Sequence, residues 1–407
     1  MDKEDRDHLI LPQEKDKPSN PKRSGCLRQG CLVTIFIAVF IFIIVPLFNN
    51  TGNESTDNGT SETNSTTTTE TTSEETVEPP PEQTGETGLQ VAEETATELP
   101  EDIQETPSSE ELIIREYSWV YGCKEWTWEL VVHQSMYDYF KEMPRPPTMN
   151  YSIYVTNPLD DPYIDRLVED INEAAAKENY SEYQTVEFAT AFVRNLPYTT
   201  DSDTSPFDEY PRYPIETLVD NGGDCEDTSI LLASILNSMG YGVILIELPG
   251  HYAVGVKAGD NIFGTYWEYA GEEYFYIETT KSGWAIGRIP DEYAEASAAL
   301  YPMVPVPVID HDWHFESKML WAELTVEVTN LGTATASDIY VLASYDAGDG
   351  QVWNPAQSET FDLAAGYHID ITLNLRFPPP DIHTRIIVQI VKDGYSISTS
   401  YSEWFDT

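Results

Sequence analysis

The spacing of apolar residues divides the chain into stretches of different kinds. Positions 1–30 are polar. Positions 31–48 form an 18-residue run rich in Ile, Phe and Val, without a charge. At 1.5 Å per residue such a run just crosses a hydrocarbon core of ~30 Å as a helix. Positions 49–111 are dominated by Thr, Glu, Ser and Pro, with few large apolar residues. They bury too little surface to offset chain entropy and are expected to be a disordered linker. Periodic patterns begin at 112. Aromatic residues crowd 113–143, where alternation through Trp126, Trp128 and Leu130 suggests a strand or a strand-to-helix passage. Ile164, Leu167, Val168, Ile171 and Ala175 recur at helical spacing. Val186, Ala189, Phe192 and Leu196 mark a second helix, opened by Ser181 and Gln184 in a capping-box pattern.

Further along, Gly222-Gly223-Asp224 is a turn signal before a third helix carrying Ile230, Leu231, Ile235 and Leu236 and ending at Gly240. Strand patterns follow at 243–248, 252–256 and 274–278. A short Ala-rich helix is expected at 293–300, then a stiff connector with Pro302, Pro305 and Pro307. From Trp321 the pattern changes to short strands at 322–329, 338–345, 360–363, 368–375, 385–391 and 395–401, separated by turns such as Asp393-Gly394. Short strands at this spacing predict a β-sandwich.

Charge changes this picture in two ways. The chain has 70 acidic and 22 basic residues and a formal net charge of -48, which excludes a nucleic-acid partner. Lys22, Arg23 and Arg28 precede the apolar run, and no Lys or Arg follows it until Arg115. The positive-inside rule therefore predicts a single-pass membrane protein, its N-terminus cytoplasmic and everything after position 48 extracytoplasmic. The bulky residues after the run offer no small-residue cleavage site, so it is expected to stay as a signal anchor. Asn49, Asn53, Asn58 and Asn64 each open an Asn-x-Ser/Thr sequon, which suits an external stalk.

The candidate chemistry lies in 221–280. Cys225 sits at the start of the third helix, where exposed N–H groups and the macrodipole favour a thiolate. His251 opens a strand after Pro249-Gly250, and Glu278 ends another. A thiol, an imidazole and a carboxylate in this order read as nucleophile, base and orienting group. Glu226 and Asp227, beside the cysteine, would raise its pKa, so a cationic His251 nearby would matter. Cys123 is the other cysteine beyond the apolar run, and a Cys123–Cys225 disulfide is the rival structural reading. Asp201, Asp203, Asp208 and Glu209 form an acidic loop. Pro206 stands where an EF-hand needs Gly, so the loop is read as a solvated rim and no metal or other cofactor is expected.

Gly-Asp-Cys-Glu-Asp at 223–227, the apolar helix ending Met-Gly-Tyr, Gly-His-Tyr-Ala-Val at 250–254 and Tyr-Ile-Glu-Thr-Thr at 276–280 together resemble the transglutaminase-like superfamily. The resemblance covers about 117–288 and includes 208–218, which is similar to the segment before the cysteine in prokaryotic, membrane-linked members. It implies an α+β papain-like core with Cys225 as nucleophile, His251 as base and Glu278 as third member, where that family usually has Asp. The stretch 324–333 resembles immunoglobulin-like adhesion modules of cell surfaces.

The expected organisation is a cytoplasmic tail at 1–30, a transmembrane anchor at 31–48, a linker at 49–111, a transglutaminase-like catalytic domain at 112–315 and an all-β immunoglobulin-like sandwich at 316–407. The expected activity is thiol acyl transfer, hydrolysing peptide or amide bonds. Protein crosslinking and a catalytically silent envelope scaffold are the alternatives. The expected partners are a protein or peptide substrate, a cell-envelope polymer and the membrane. In right-side-out vesicles, added protease should release a large fragment that begins within 49–111. A fragment protected until the membrane is opened would contradict the orientation.

Overall fold

The computed structural model describes residues 10–15, 111–204, 209–257 and 262–407. The expected membrane anchor, the sequons and all but the last residue of the linker lie outside these residues. Among the described residues no helix is long and apolar enough to cross a membrane.

The aromatic stretch forms a hairpin of β2 (Leu112–Tyr121) and β3 (Lys124–His133), following a short strand β1 (Gln13–Lys15). The hairpin turn places Gly122 and Cys123 at φ 60 and 64, the pair of positive values that a two-residue turn needs to match strand twist. Tyr117 faces Trp128 and Trp119 faces Trp126 across the strands. All four rings are buried, packed with Phe188 and Phe192, and serve as core. The helical segments that follow among the described residues are α1 (Gln134–Glu142), α2 (Ser152–Val155), α3 (Asp161–Glu178), α4 (Glu182–Val193), α5 (Asp201–Thr204) and α6 (Pro214–Asp220). The Ser181–Gln184 capping box opens α4 as its sequence predicts.

The central helix is α7 (Cys225–Ser238), buried from Glu226 to Leu236. Gly240 follows its end at φ +84. One side of α7 packs on β4 (Gly242–Leu248) and β5 (His251–Lys257), the other on α3 and α4. With β6 (Gly264–Tyr269), β7 (Glu272–Ile277) and β8 (Ala299–Pro302), the sheet runs β1-β6-β7-β5-β4-β8, all antiparallel. The expected Ala-rich helix at 293–300 is absent. A 3₁₀ turn at Asp291–Tyr293 leads instead into β8, because Leu245 and Ile246 on the edge of β4 offer a ladder that Tyr301 and Leu300 complete. Tertiary pairing overrides the helix propensity of alanine here.

The expected tail also contributes to this sheet. Gln13 pairs with Tyr266 and Lys15 with Gly264, the Trp267 indole donates to the Ile10 carbonyl at 3.0 Å, and Lys15 meets Glu273 at 2.6 Å. This pairing places residues 10–15 on the same side of any membrane as the core.

The sandwich begins earlier than expected. Strand β9 (Ile309–Ser317) pairs along its whole length with β10 (Trp321–Asn330), so a boundary at 315/316 cuts through a strand. Its composition hides it, since Asp310, His311, Asp312 and His314 interrupt the apolar pattern. One sheet is β14-β10-β9, with β14 at His368–Arg376. The other is β12-β11-β16-β17, formed by β11 (Ala336–Gly348), β12 (Gln351–Gln357), β16 (Ile386–Lys392) and β17 (Tyr395–Tyr401), with β13 (Phe361–Leu363) also pairing to β11. Strands β15 (His383–Thr384) and β18 (Phe405–Asp406) form a small pair at one end. Leu324, Val326 and Val328 alternate inward from β10 and meet Val341, Ala343, Val388 and Ile390. Where the modules join, Gly332 lies so close to the backbone of 306–308 that an added Cβ would sit 2.2 Å from the Val306 carbonyl oxygen. Thr156 and Thr333 share a hydrogen bond of 2.8 Å across this junction.

Candidate active site

The first turn of α7 is held by a buried ion cluster. Asp227, fully buried, accepts from the backbone N–H of Arg212 at 2.8 Å and from its guanidinium, which also meets Asp201 at 3.2 Å and Asp220 at 3.3 Å. A Cβ on Gly223 would lie 2.5 Å from that of Asp227, so only glycine lets the loop enter the helix this closely. The loop therefore delivers Cys225 at the helix N-terminus in one fixed position.

The thiol is partly buried and donates to the Glu226 carboxylate at 3.1 Å. Burial pushes its pKa up, the charges of Glu226 and Asp224 push the same way, and the backbone N–H of Tyr252 draws it down. Burial first, and then the charges of Glu226 and Asp224, thus oppose the thiolate that the helix N-terminus favours. Among the described residues no disulfide joins Cys123 to Cys225.

His251 and Glu278 do meet. The imidazole Nε2 lies 3.3 Å from Glu278 Oε2 and 3.3 Å from the Tyr276 hydroxyl. Tyr293 stacks on the ring at 5.2 Å with an interplanar angle of 4°. Glu278 is 1% exposed, yet every side of it is bonded. Its carboxylate accepts from the Tyr276 hydroxyl at 2.8 Å, from the Thr280 N–H at 3.0 Å and from the Thr280 hydroxyl at 2.5 Å. Burial alone would raise its pKa. The bonds from His251 and Thr280 and the imidazolium charge reverse that effect and hold it near about 2. Glutamate therefore reaches the imidazole from just past the end of β7. Thr279, its neighbour, bonds Thr228 of α7 at 2.9 Å and ties the carboxylate strand to the cysteine helix.

Tyr276, Tyr293, Thr280 and the Tyr252 N–H were not singled out from the sequence. Tyr276 and Thr280 lie within two residues of Glu278, so the strand's alternation carried a weak signal for the first. Tyr293 comes from a distant turn that no local pattern connects to His251. Ligand atoms of Asp224, Cys225 and Glu226 lie within 4.8 Å of one another, as do those of Asp201, Glu209 and Glu226. Both groups are acidic clusters of the kind that a hard cation or a shared proton relieves. A separate cleft of about 490 Å³ is lined by Tyr121, Tyr183, Arg194 and Trp284. It does not include Cys225 or His251. Arg194 does bridge it to the site, donating to the Glu278 carbonyl at 2.6 Å.

No family model matches this sequence, and no curated protein does. Among solved structures the chain is similar to LapG of Legionella pneumophila, at 18% identity over 35% of this chain and 87% of that one, with a TM-score of 0.24. It is similar to red sea bream transglutaminase at 10% identity over 70% of this chain and 60% of that one, with a TM-score of 0.21. A β-glucuronidase of glycoside hydrolase family 2 matches at 13% identity over 40% of this chain and 21% of that one, with a TM-score of 0.19. Likenesses at these scores decide nothing about function, which has to be read from the side chains.

The geometry makes a prediction about the thiol. Alkylation of Cys225 by iodoacetamide should be slow at neutral pH and keep rising beyond the ~8.5 expected of a free cysteine. Glu226→Gln should accelerate it at pH 7, because the nearest opposing charge is removed. A wild-type rate that levels off below pH 8 would contradict the arrangement.

Proposed function

We propose that this chain is a membrane-anchored thiol acyl-transfer enzyme that hydrolyses peptide or amide bonds outside the cytoplasm. The observation that carries the proposal is the His251–Glu278 pair at 3.3 Å, with Thr279, next to Glu278, bonded to Thr228 of the helix that Cys225 opens. A buried carboxylate bonded on all sides serves no packing need. It does support an imidazolium and fix its tautomer.

In the proposed cycle His251 Nδ1 takes the thiol proton as Sγ attacks the substrate carbonyl, so the raised thiol pKa is met by transfer within the attack. The Cys225 N–H at the helix start faces the developing oxyanion. The imidazolium, stabilised by Glu278, then gives its proton to the leaving amine. Water, deprotonated by the same nitrogen, opens the thioester and restores the thiol. An amine acceptor in place of water would make a crosslinker. The preference for water follows the resemblance of 208–218 to prokaryotic members. Substrates are peptides or proteins, with cell-envelope polymer as a candidate scaffold for them.

The membrane anchor is part of the proposal. A span at 31–48 and the pairing of β1 with β6 cannot coexist in one chain, since a bilayer would separate them. Magnitudes favour the span. Fourteen Leu, Ile, Val and Phe residues in the run contribute on the order of 4–8 kcal/mol to insertion. A three-residue strand with one partly exposed ion pair, Lys15–Glu273, contributes far less. In the anchored chain β1 leaves the sheet.

A silent scaffold is the second reading, favoured by the resting thiol's bond to Glu226. Turnover separates the two. With a peptide amide substrate, Cys225→Ala should abolish release of amine and His251→Ala should reduce it ~10²–10⁴-fold. Glu278→Gln should have a smaller effect, and all three should keep wild-type melting curves to within a few degrees. Equal amine release by wild type and Cys225→Ala would remove the enzyme reading.

A further inference from the structure

The β9–β10 hairpin turns at Lys318-Met319-Leu320-Trp321, closed by the Lys318 N–H donating to the Trp321 carbonyl at 2.8 Å. Its central residues are Met319, 95% exposed, and Leu320, 66% exposed. Hairpin turns favour Gly, Asn, Asp, Pro and Ser at such positions. Other turns of the same module obey this, as in Gly348-Asp349-Gly350 and Asp393-Gly394, where positive φ values require it. Neither Met319 nor Leu320 has a positive φ, so the backbone tolerates many polar residues here. Two large apolar side chains instead stand in water at the tip of a chain with net charge -48.

The tip does not stand alone. Trp321 is 39% exposed at its base. Asn354, next to the exposed Trp353, donates to the carbonyls of Arg376 and Phe377 at 3.0 Å, and Trp321 pairs with Arg376. The two indoles therefore belong to one end of the sandwich. Lys318 bonds Glu316 and Glu323, and Arg376 pairs with Trp321, so two basic residues stand at this end. The opposite end of β10, at Asn330, is the end that meets the catalytic module. At ~3.3 Å per residue the tip projects roughly 30 Å from that junction.

We propose that this tip docks in the surface of a lipid bilayer, with Met319 and Leu320 entering the acyl boundary and Trp321 and Trp353 at headgroup depth. Indoles concentrate at that depth because one edge is apolar and the N–H is polar. Lys318 and Arg376 at this end also lessen the repulsion between so acidic a chain and an anionic surface. The inference rests on the membrane attachment proposed above. The 63 residues of 49–111 have an r.m.s. span of about 45 Å as a flexible coil, enough for the sandwich to lie back on the membrane that anchors it. Docking would hold the catalytic module at a set height above the bilayer.

Methionine oxidation tests this on the full chain reconstituted in phosphatidylcholine–phosphatidylglycerol vesicles. Hydrogen peroxide is added and sulfoxide formation at Met319 is compared with that at Met149, itself half-exposed in the catalytic module. The same ratio is measured on the fragment released by protease within the linker and freed of vesicles. In the released fragment Met319 should oxidise several-fold faster than Met149. In intact vesicles the ratio should fall at least several-fold, and Leu320→Asp should restore it. An unchanged ratio between vesicles and fragment overturns the docking, as does protection that persists in Leu320→Asp, which would mark a protein contact. Carbonate extraction reads the anchor separately. A chain that resists extraction with Met319 open overturns the tip alone. A chain stripped by carbonate with Met319 protected beforehand overturns the anchor alone.

Discussion

Keeping a carboxylate charged at 1% exposure demands hydrogen-bond donors on every side, and Glu278 has them from His251, Tyr276 and Thr280. Each carboxylate oxygen meets two of these groups, Oε2 the Tyr276 hydroxyl and the imidazole and Oε1 the Thr280 N–H and hydroxyl, so the charge is shared over several bonds. The imidazole is consequently confined. Its Nε2 is committed to the carboxylate, its face to Tyr293, and its backbone to the ladder between β4 and β5. With Nε2 committed, Nδ1 is the ring nitrogen left for chemistry.

The seating of α7 is the complementary constraint. Asp227 and Arg212 form a buried ion pair whose worth lies in position more than in stability, since desolvation offsets much of the attraction. Together with the close approach of Gly223 it sets where the helix begins. The same construction brings Asp224 and Glu226 against the thiol. The site thus holds two opposing electrostatic designs: a carboxylate kept charged beside His251 on one side, and a thiolate disfavoured on the other. In the proposed cycle, deprotonation therefore depends on transfer to His251 during attack.

Much of this was legible in the residue order. The helices at 161–178 and 182–193 carry uninterrupted apolar stripes, and the capping box at Ser181 is a local signal with a local cause. The positions of Cys225, His251 and Glu278 at element ends follow from Gly and Pro punctuation. Other features depend on partners remote in sequence. Strand β8 forms because β4 has an open edge, so alanines that favour helix in isolation extend instead. Strand β9 was hidden by its charges, which face water while Ile309 and Trp313 pack on the sandwich core. The stacked Tyr293 and the resting Cys225–Glu226 bond are side-chain encounters that no periodicity encodes.

The central claim is that Cys225 carries the acyl group. Intact-mass and peptide mapping of the full chain, quenched in acid during turnover of an activated acyl ester, tests it most directly. The account predicts an acyl mass increment on the peptide containing Cys225, released by hydroxylamine and much reduced in His251→Ala. An increment confined to Cys123, or equal labelling of Cys225 in wild type and His251→Ala, would contradict it.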